Sequence, residues 1–259
     1  MFVIEVPYFN LDQIYNSKQV PRWIKLKESK YVIPFRNKAL KIEQQKERLI
    51  MSCTEEEFYN IWYKYFDLQT DYFALNNKIK KLKKFKVLAN RGSGIHIINQ
   101  DIFETYVFTK IVKDVGYDKA KVAVNHIAEV CGIKHVQSMR EAGRVTWYEW
   151  PTPEMILENF DNLKKMGKIN NWLKDECDAI ISLGLVPNNN ELFKLFAQHM
   201  VSVFPTYGIE DTLRKNFDCE PEEFADWYLD EIENKGLAYM YILHHITNRP
   251  KEIVPNGIG

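Results

Sequence analysis

Tyr31-Val32-Ile33-Pro34-Phe35 and Ala39-Leu40-Lys41-Ile42-Glu43, joined by Arg36-Asn37-Lys38, form the stretch on which the fold turns. Two short runs rich in β-branched, aliphatic and aromatic residues, with a polar connection between them, read as neighbouring antiparallel strands. The pattern extends outward on both sides, at Phe2–Val6, Trp23–Leu26 and Arg48–Cys53, each bounded by polar turns. An antiparallel sheet is expected from Phe2 to about Cys53. Thr54-Glu55-Glu56-Glu57 then has the form of an N-cap followed by first-turn acids, with Glu57 in the capping-box position. It opens a helix carrying Phe58, Ile61, Trp62 and Tyr65. Everything beyond reads as helical, with candidate helices at about 70–89, 100–114, 117–131, 153–166, 170–182, 189–202, 207–216, 221–234 and 236–247. The expected class is α+β, a small N-terminal sheet followed by a helical body, with a frayed tail at 251–259.

The 259 residues are 46% hydrophobic and 27% charged, which excludes a mainly disordered or collagen-like chain. No run approaches the 18 uncharged apolar residues of a membrane span. Thirty-five basic against 35 acidic side chains leave no net charge, so nucleic-acid binding requires a local patch. Cys53, Cys131, Cys177 and Cys219 form no Cys-x-x-Cys pair and read as reduced core residues. Met1-Phe2-Val3-Ile4-Glu5 lacks the basic and apolar regions of a secretory signal, and the expected location is the cytoplasm. His244 and His245 diverge by about 100° on a helix. His96, His126, His135 and His199 share no spacing, so neither a metal site nor any other cofactor is expected.

Several stretches are similar to one family. Phe9-Asn10-Leu11-Asp12-Gln13-Ile14, Ser17-Lys18-Gln19-Val20-Pro21-Arg22-Trp23 and Tyr65-Phe66-Asp67-Leu68-Gln69-Thr70-Asp71-Tyr72 resemble the N-terminal domain of the 8-oxoguanine DNA glycosylases. Gly94-Ile95-His96-Ile97-Ile98-Asn99-Gln100-Asp101 and Trp150-Pro151-Thr152-Pro153 resemble the entry to their helix-hairpin-helix domain. The resemblance runs collinearly from about residue 5 to 247. It implies an N-terminal domain over 1–89 with its following helices, and a helical domain over 90–250.

Members of the family extrude a purine and cut its glycosidic bond with a lysine nucleophile, assisted by an aspartate. The lysine closes the hairpin motif Gly-Val-Gly-Pro-Lys, which here reads Gly184-Leu185-Val186-Pro187-Asn188. Farther along, the family's Phe-Pro-Val-Asp reads Phe204-Pro205-Thr206-Tyr207. Asn188 thus stands at the nucleophile position and Tyr207 at the aspartate position. An amide nitrogen is not nucleophilic and forms no Schiff base, and a neutral phenol does not stabilise a cationic sugar as a carboxylate does.

The resemblance also implies changed recognition positions. Lys18 falls where the family has a glycine against the oxidised purine, Tyr239 where a glutamine reads the base edge, and Leu243 where an aromatic stacks on the base. Asp114-Val115-Gly116 replaces an asparagine run at the orphaned partner base, and Asn170 and Asn171 replace a tyrosine wedge and its arginine. Lys119 lies where a basic residue approaches the unpaired base; the plainer reading is a solvated helix lysine. A segment of roughly twenty residues between the wedge and the hairpin is missing, judged by usual loop and helix lengths.

Lys78, Lys80, Lys81, Lys83, Lys84 and Lys86 crowd together without an acid among them, a stripe suited to phosphates and to salt-dependent binding of duplex DNA. The alternative is a solvated amphipathic helix burying Ile79, Leu82 and Phe85. Gly184 keeps the first hairpin glycine as a DNA-backbone candidate, while Val186 replaces the second. Residues 218–233 are strongly acidic and suit helix starts or a basic protein partner.

Three functions compete. The first is a catalytically inactive, glycosylase-like protein that binds nucleic acid without excising a base. The second is a protein-interaction module on the same fold, encoded by a mobile element and directed at a host factor. The third is an active glycosylase for another modified base, with Glu210 or Asp211 one turn beyond Tyr207 supplying the carboxylate and Lys18 shaping a new pocket.

Overall fold

The computed structural model describes residues 1–81, 86–139, 143–163 and 166–184, together with Arg214, Tyr241 and His244. Five strands, β1 (Phe2–Glu5), β2 (Ile24–Lys27), β3 (Lys30–Phe35), β4 (Lys38–Gln45) and β5 (Arg48–Met51), form one sheet in the order β1-β5-β4-β3-β2. The expected strands are found within one to two residues of their predicted bounds. β1 pairs antiparallel with β5 from Phe2↔Met51 to Glu5↔Arg48, and β2 pairs antiparallel with β3 through Ile24↔Val32 and Lys25↔Tyr31. The tight turns contain no glycine. Ser29, Arg36 and Lys46 take left-handed conformations at φ +56, +53 and +58, a geometry that glycine adopts more cheaply.

Two elements depart from the expected pattern. Helix α1 (Leu11–Asn16) lies between β1 and β2, where only turns were expected. Asn10 caps it by accepting from the Gln13 amide, and Leu11 and Ile14 are buried. The other is a hairpin, β6 (Lys134–Met139) with β7 (Gly143–Tyr148), inside the body expected to be all helical. Met139 and Val145 face inward and pack with Val32, Ile24, Leu26 and Ala39. Gly132 admits the chain to this hairpin: a Cβ there lies 2.1 Å from the Glu149 carbonyl oxygen.

By internal contacts the chain forms two compact units, one of Met1–Val20, Glu43–Asn99 and Phe204–Gly259, the other of Pro21–Ile42 and Gln100–Val203. In the first, α2 (Glu55–Glu57) is capped by Thr54 Oγ1, which accepts from the Glu57 amide at 3.1 Å. It runs through a π turn at Phe58–Trp62 into α3 (Tyr63–Tyr65), burying Phe58, Trp62, Tyr65 and Phe66. The helix expected at 70–89 is described as α4 (Tyr72–Lys81) and α5 (Lys86–Arg91). Leu82 and Phe85, expected to be buried with Ile79, lie outside the described residues.

In the second unit, α6 (Ile102–Val115), α7 (Tyr117–Cys131), α8 (Pro153–Glu158) and α9 (Lys168–Ser182) enclose a core that includes Phe103, Val107, Ile111, Val124, Ile127, Ile156, Leu173 and Cys177. The helix expected at 153–166 ends at Glu158, followed by a 3-10 turn at Phe160–Asn162. Cys53, Cys131 and Cys177 are buried free thiols, as the sequence led us to expect; Cys219 lies outside the described residues. Burial pushes their thiols up, to about 11, 11 and 12.

Candidate nucleic-acid interface

Lys18 occupies a left-handed position, φ +64, immediately beyond α1. The backbone geometry is one that glycine favours, and the lysine adopts it because its neighbours fix the turn. Ser17 Oγ donates to Ile14 O at 2.7 Å, Gln19 Nε2 donates to Ser17 Oγ and His96 O at 2.9 Å each, and the Ile98 amide donates to Gln19 Oε1 at 2.8 Å. Residues 77 and 79 positions later in the chain therefore hold this turn.

His96 is the hub of that arrangement. Its Nδ1 lies 3.1 Å from Phe66 O and its Nε2 3.1 Å from Tyr8 O. Its ring stacks on Tyr72 at 3.7 Å and meets the edge of Phe9 at 4.9 Å. Burial lowers its pKa to about 4, against the pull of both carbonyls. Tyr72 Oη donates to Asp67 Oδ2 at 2.7 Å and accepts from the Ile97 amide at 2.8 Å; burial and the Asp67 carboxylate raise the phenol's pKa. Gly94 completes the brace: its amide donates to Gln13 Oε1, its carbonyl accepts from Asn10, and a Cβ there meets Asn10 Cβ at 2.5 Å. The segment 94–98 thus positions the Lys18 turn, a role that no local spacing of His96 signalled.

The positions that the resemblance assigns to the opposite base, Asp114–Gly116, Lys119, Asn170 and Asn171, all fall in the second unit. Gly116, φ +78, joins α6 to α7, and Lys119 is exposed in the first turn of α7. Asp114 Oδ2 accepts from Trp172 Nε1 at 2.6 Å, which brings the 114–116 segment together with the start of α9. Asn170 uses its side-chain oxygen locally, accepting from the Met166 amide at 2.9 Å, and Asn171 is exposed. Trp172, unmarked in the sequence, is the side chain that links the two stretches. Lys110 Nζ sits 4.6 Å from its ring centroid and pairs with Glu176, which also accepts from Tyr106 Oη. At the far end of α9, Gly184 takes φ +64 and donates to Ile181 O at 2.9 Å, a left-handed helix stop.

Within the lysine stripe, Lys78, Lys81 and Lys86 are exposed, whereas Lys80 is half-buried. With the Asn76 amide turned to donate to Ala89 O and Tyr241 Oη, its oxygen accepts from Lys80 Nζ at 3.1 Å. Tyr241 is buried, and Gly92 makes room for it, since a Cβ there lies 2.6 Å from Tyr241 Cδ1. Lys83, Lys84, Asn188, Tyr207, Glu210, Asp211, Tyr239, Leu243 and the acidic residues 218–233 lie outside the described residues. Among the described residues, no three His, Cys, Asp or Glu side chains group to hold a metal, and no helix is long and apolar enough to cross a membrane.

An N-terminal sheet with an inserted short helix, followed by a helical body with one hairpin among the described residues, defines an α+β fold. The sequence description of the 8-oxoguanine DNA glycosylase N-terminal domain matches residues 1–106. The apo-form of the 8-oxoguanine glycosylase/lyase of Clostridium acetobutylicum is similar with a TM-score of 0.77 and 22% identity, over 93% of this chain and 95% of that one. The same enzyme in complex with double-stranded DNA containing cytosine opposite 8-oxoguanine is similar with a TM-score of 0.76 and 21% identity, over 95% and 97%. The 3-methyladenine DNA glycosylase of Archaeoglobus fulgidus is more distant, with a TM-score of 0.66 and 13% identity over 97% and 99%. A comparison with curated protein sequences finds no match. The chain therefore has the fold of the 8-oxoguanine DNA glycosylases.

Proposed function

We propose that this protein binds double-stranded DNA without excising a base. The observation that carries the reading is the pair of substitutions Asn188 and Tyr207, which removes the amine and the carboxylate together. Binding is supported by the clustered lysines at Lys78–Lys86. The DNA complex of the Clostridium acetobutylicum enzyme is consistent with this partner. Lys110, on α6, is engaged by Glu176 and Trp172 and is a poor substitute nucleophile. We retain 1–89 and 90–250 as the two inherited domains.

The test is a titration of duplexes with and without 8-oxoguanine at two salt concentrations, with borohydride added to a parallel sample. Steep salt dependence, no released base and no covalent adduct are expected. Release of a base overturns inactivity and returns the reading to an active glycosylase with Glu210 or Asp211 as its carboxylate, and a reproducible adduct assigns the nucleophile to another lysine, Lys18, Lys110 or Lys113. Absence of binding at low salt overturns the DNA reading and leaves the acidic residues 218–233 as the place to seek a protein partner.

A further inference from the structure

Tyr8 and Phe73 are large aromatics that remain 46% and 48% exposed while their ring centroids lie 4.8 Å apart, tilted by 38°. Side chains driven only by burial do not pair in water and stop half-covered; a solvent-facing aromatic pair offers a face to something flat. Tyr8 is also held in a left-handed conformation, φ +56, with its carbonyl fixed on His96 Nε2.

What lies beside the pair selects the ligand. Phe73 is the second residue of α4, and Asn77 and Lys81 follow on the same face, four and eight residues on. Lys81 is exposed. Phe73 and Lys81 are about 12 Å apart along the axis at 1.5 Å per residue. That is the length of three to four stacked nucleotides at about 3.4 Å each. The start of α4 is closed by Asp71, whose Oδ1 accepts from the Ala74 amide at 2.9 Å, so the carboxylate disfavours an anion at the aromatic end, and the exposed ammonium of Lys81 attracts one at the other.

We propose that the Tyr8–Phe73 pair stacks an unpaired base of DNA whose neighbouring phosphates run toward Lys81, giving this protein a preference for duplexes that carry a single-stranded extension. The inference rests on the DNA-binding reading above and deepens it. Flat bases meet the rings and phosphates meet the ammonium groups, the combination by which single strands are held without regard to sequence.

The experiment compares a blunt duplex with the same duplex bearing a five-nucleotide 3′ or 5′ extension, by fluorescence anisotropy on the full chain. The parent is expected to bind one extended probe about tenfold more tightly, the scale of one stacked base. Tyr8→Ala with Phe73→Ala abolishes that ratio while leaving blunt-duplex affinity within about twofold. Tyr8→Phe, which keeps the ring, retains the preference. Circular dichroism confirms that the variants fold. Equal binding of blunt and extended probes by the parent overturns this inference alone; binding of neither overturns the DNA reading as well. A preference that persists in the folded double variant assigns it to other residues and leaves the aromatic pair to a protein partner.

Discussion

Among the buried ionisable side chains, His96 in the first unit and Glu104 in the second are accommodated in opposite ways. In the first unit His96 is neutral, set among carbonyl oxygens, a stacked tyrosine and the Gln19 amide, with burial lowering its pKa to about 4. In the second, Glu104 is buried 3.2 Å from Arg22 Nη1, and Arg22 also donates to Tyr148 O and lies 5.8 Å from the Trp150 centroid. Burial pushes Glu104 up to about 7 although Arg22 pulls the other way. A neutral network fixes a backbone turn through many modest bonds, so its members are partly replaceable. A buried ion pair stakes more on each partner, because either one alone is an uncompensated charge.

The largest effect is therefore expected in the second unit. Arg22→Ala strands Glu104 and costs about 3–5 kcal/mol at pH 8, read by urea unfolding. The cost shrinks at pH 5, where the carboxyl takes up a proton. In the first unit, Gln19→Ala leaves His96 O and the Ile98 amide without a shared partner and costs about 1–3 kcal/mol. A Gln19→Ala variant as damaged as Arg22→Ala removes the distinction between the two networks.

The pH dependence sharpens the comparison because the two signs oppose. Between about pH 4 and 6.5 the unfolded chain holds more protons on His96 than the folded one, so this group contributes stability that is complete above 6.5 and is lost as pH falls. Glu104 binds its proton more tightly when folded; its contribution is complete below 4.5 and is lost as pH rises toward 7. The slopes offset one another across the overlap. His96→Gln is expected to uncover a fall of stability with rising pH, and Glu104→Gln to uncover a rise, as measured by unfolding midpoints at half-unit intervals. Parallel shifts in both variants sink the assignment.

How much of this was legible in the chain follows from the range of the interactions involved. The strands at Phe2–Glu5 and Lys30–Gln45 announce themselves through local alternation and polar turns, and Tyr117–Cys131 through a clean helical period. The β6–β7 hairpin does not, because half its side chains are exposed, Val136 among them, and its inward face is completed by Val32, a hundred residues earlier. Helix α1 is too short for a period to emerge and depends on the Asn10 cap. The Lys18 turn is hidden for another reason: lysine carries no signal of positive φ, and only the family resemblance marked the position as a glycine site. His96 and Trp172 act through partners 30 to 88 and 58 residues away, which spacing does not encode.

The smallest expected effect distinguishes the two lysines placed near the DNA by resemblance. Lys119 sits in regular helix at the start of α7, so Lys119→Gly lowers stability by up to about 1 kcal/mol through backbone entropy. Lys18 is different, because its φ of +64 is already strained and glycine relieves it. A left-handed lysine costs about 1–2 kcal/mol, and the extra freedom glycine gives the unfolded chain offsets about 0.5–1 of that. Lys18→Gly is therefore expected to stabilise the protein by about 0.5 kcal/mol, opposite in sign to its counterpart, as a rise in the urea midpoint at unchanged slope. If both substitutions destabilise, contacts of the Lys18 side chain outweigh the strain. The lysine then belongs to the structure of the turn and is more than a replacement tolerated at a glycine site.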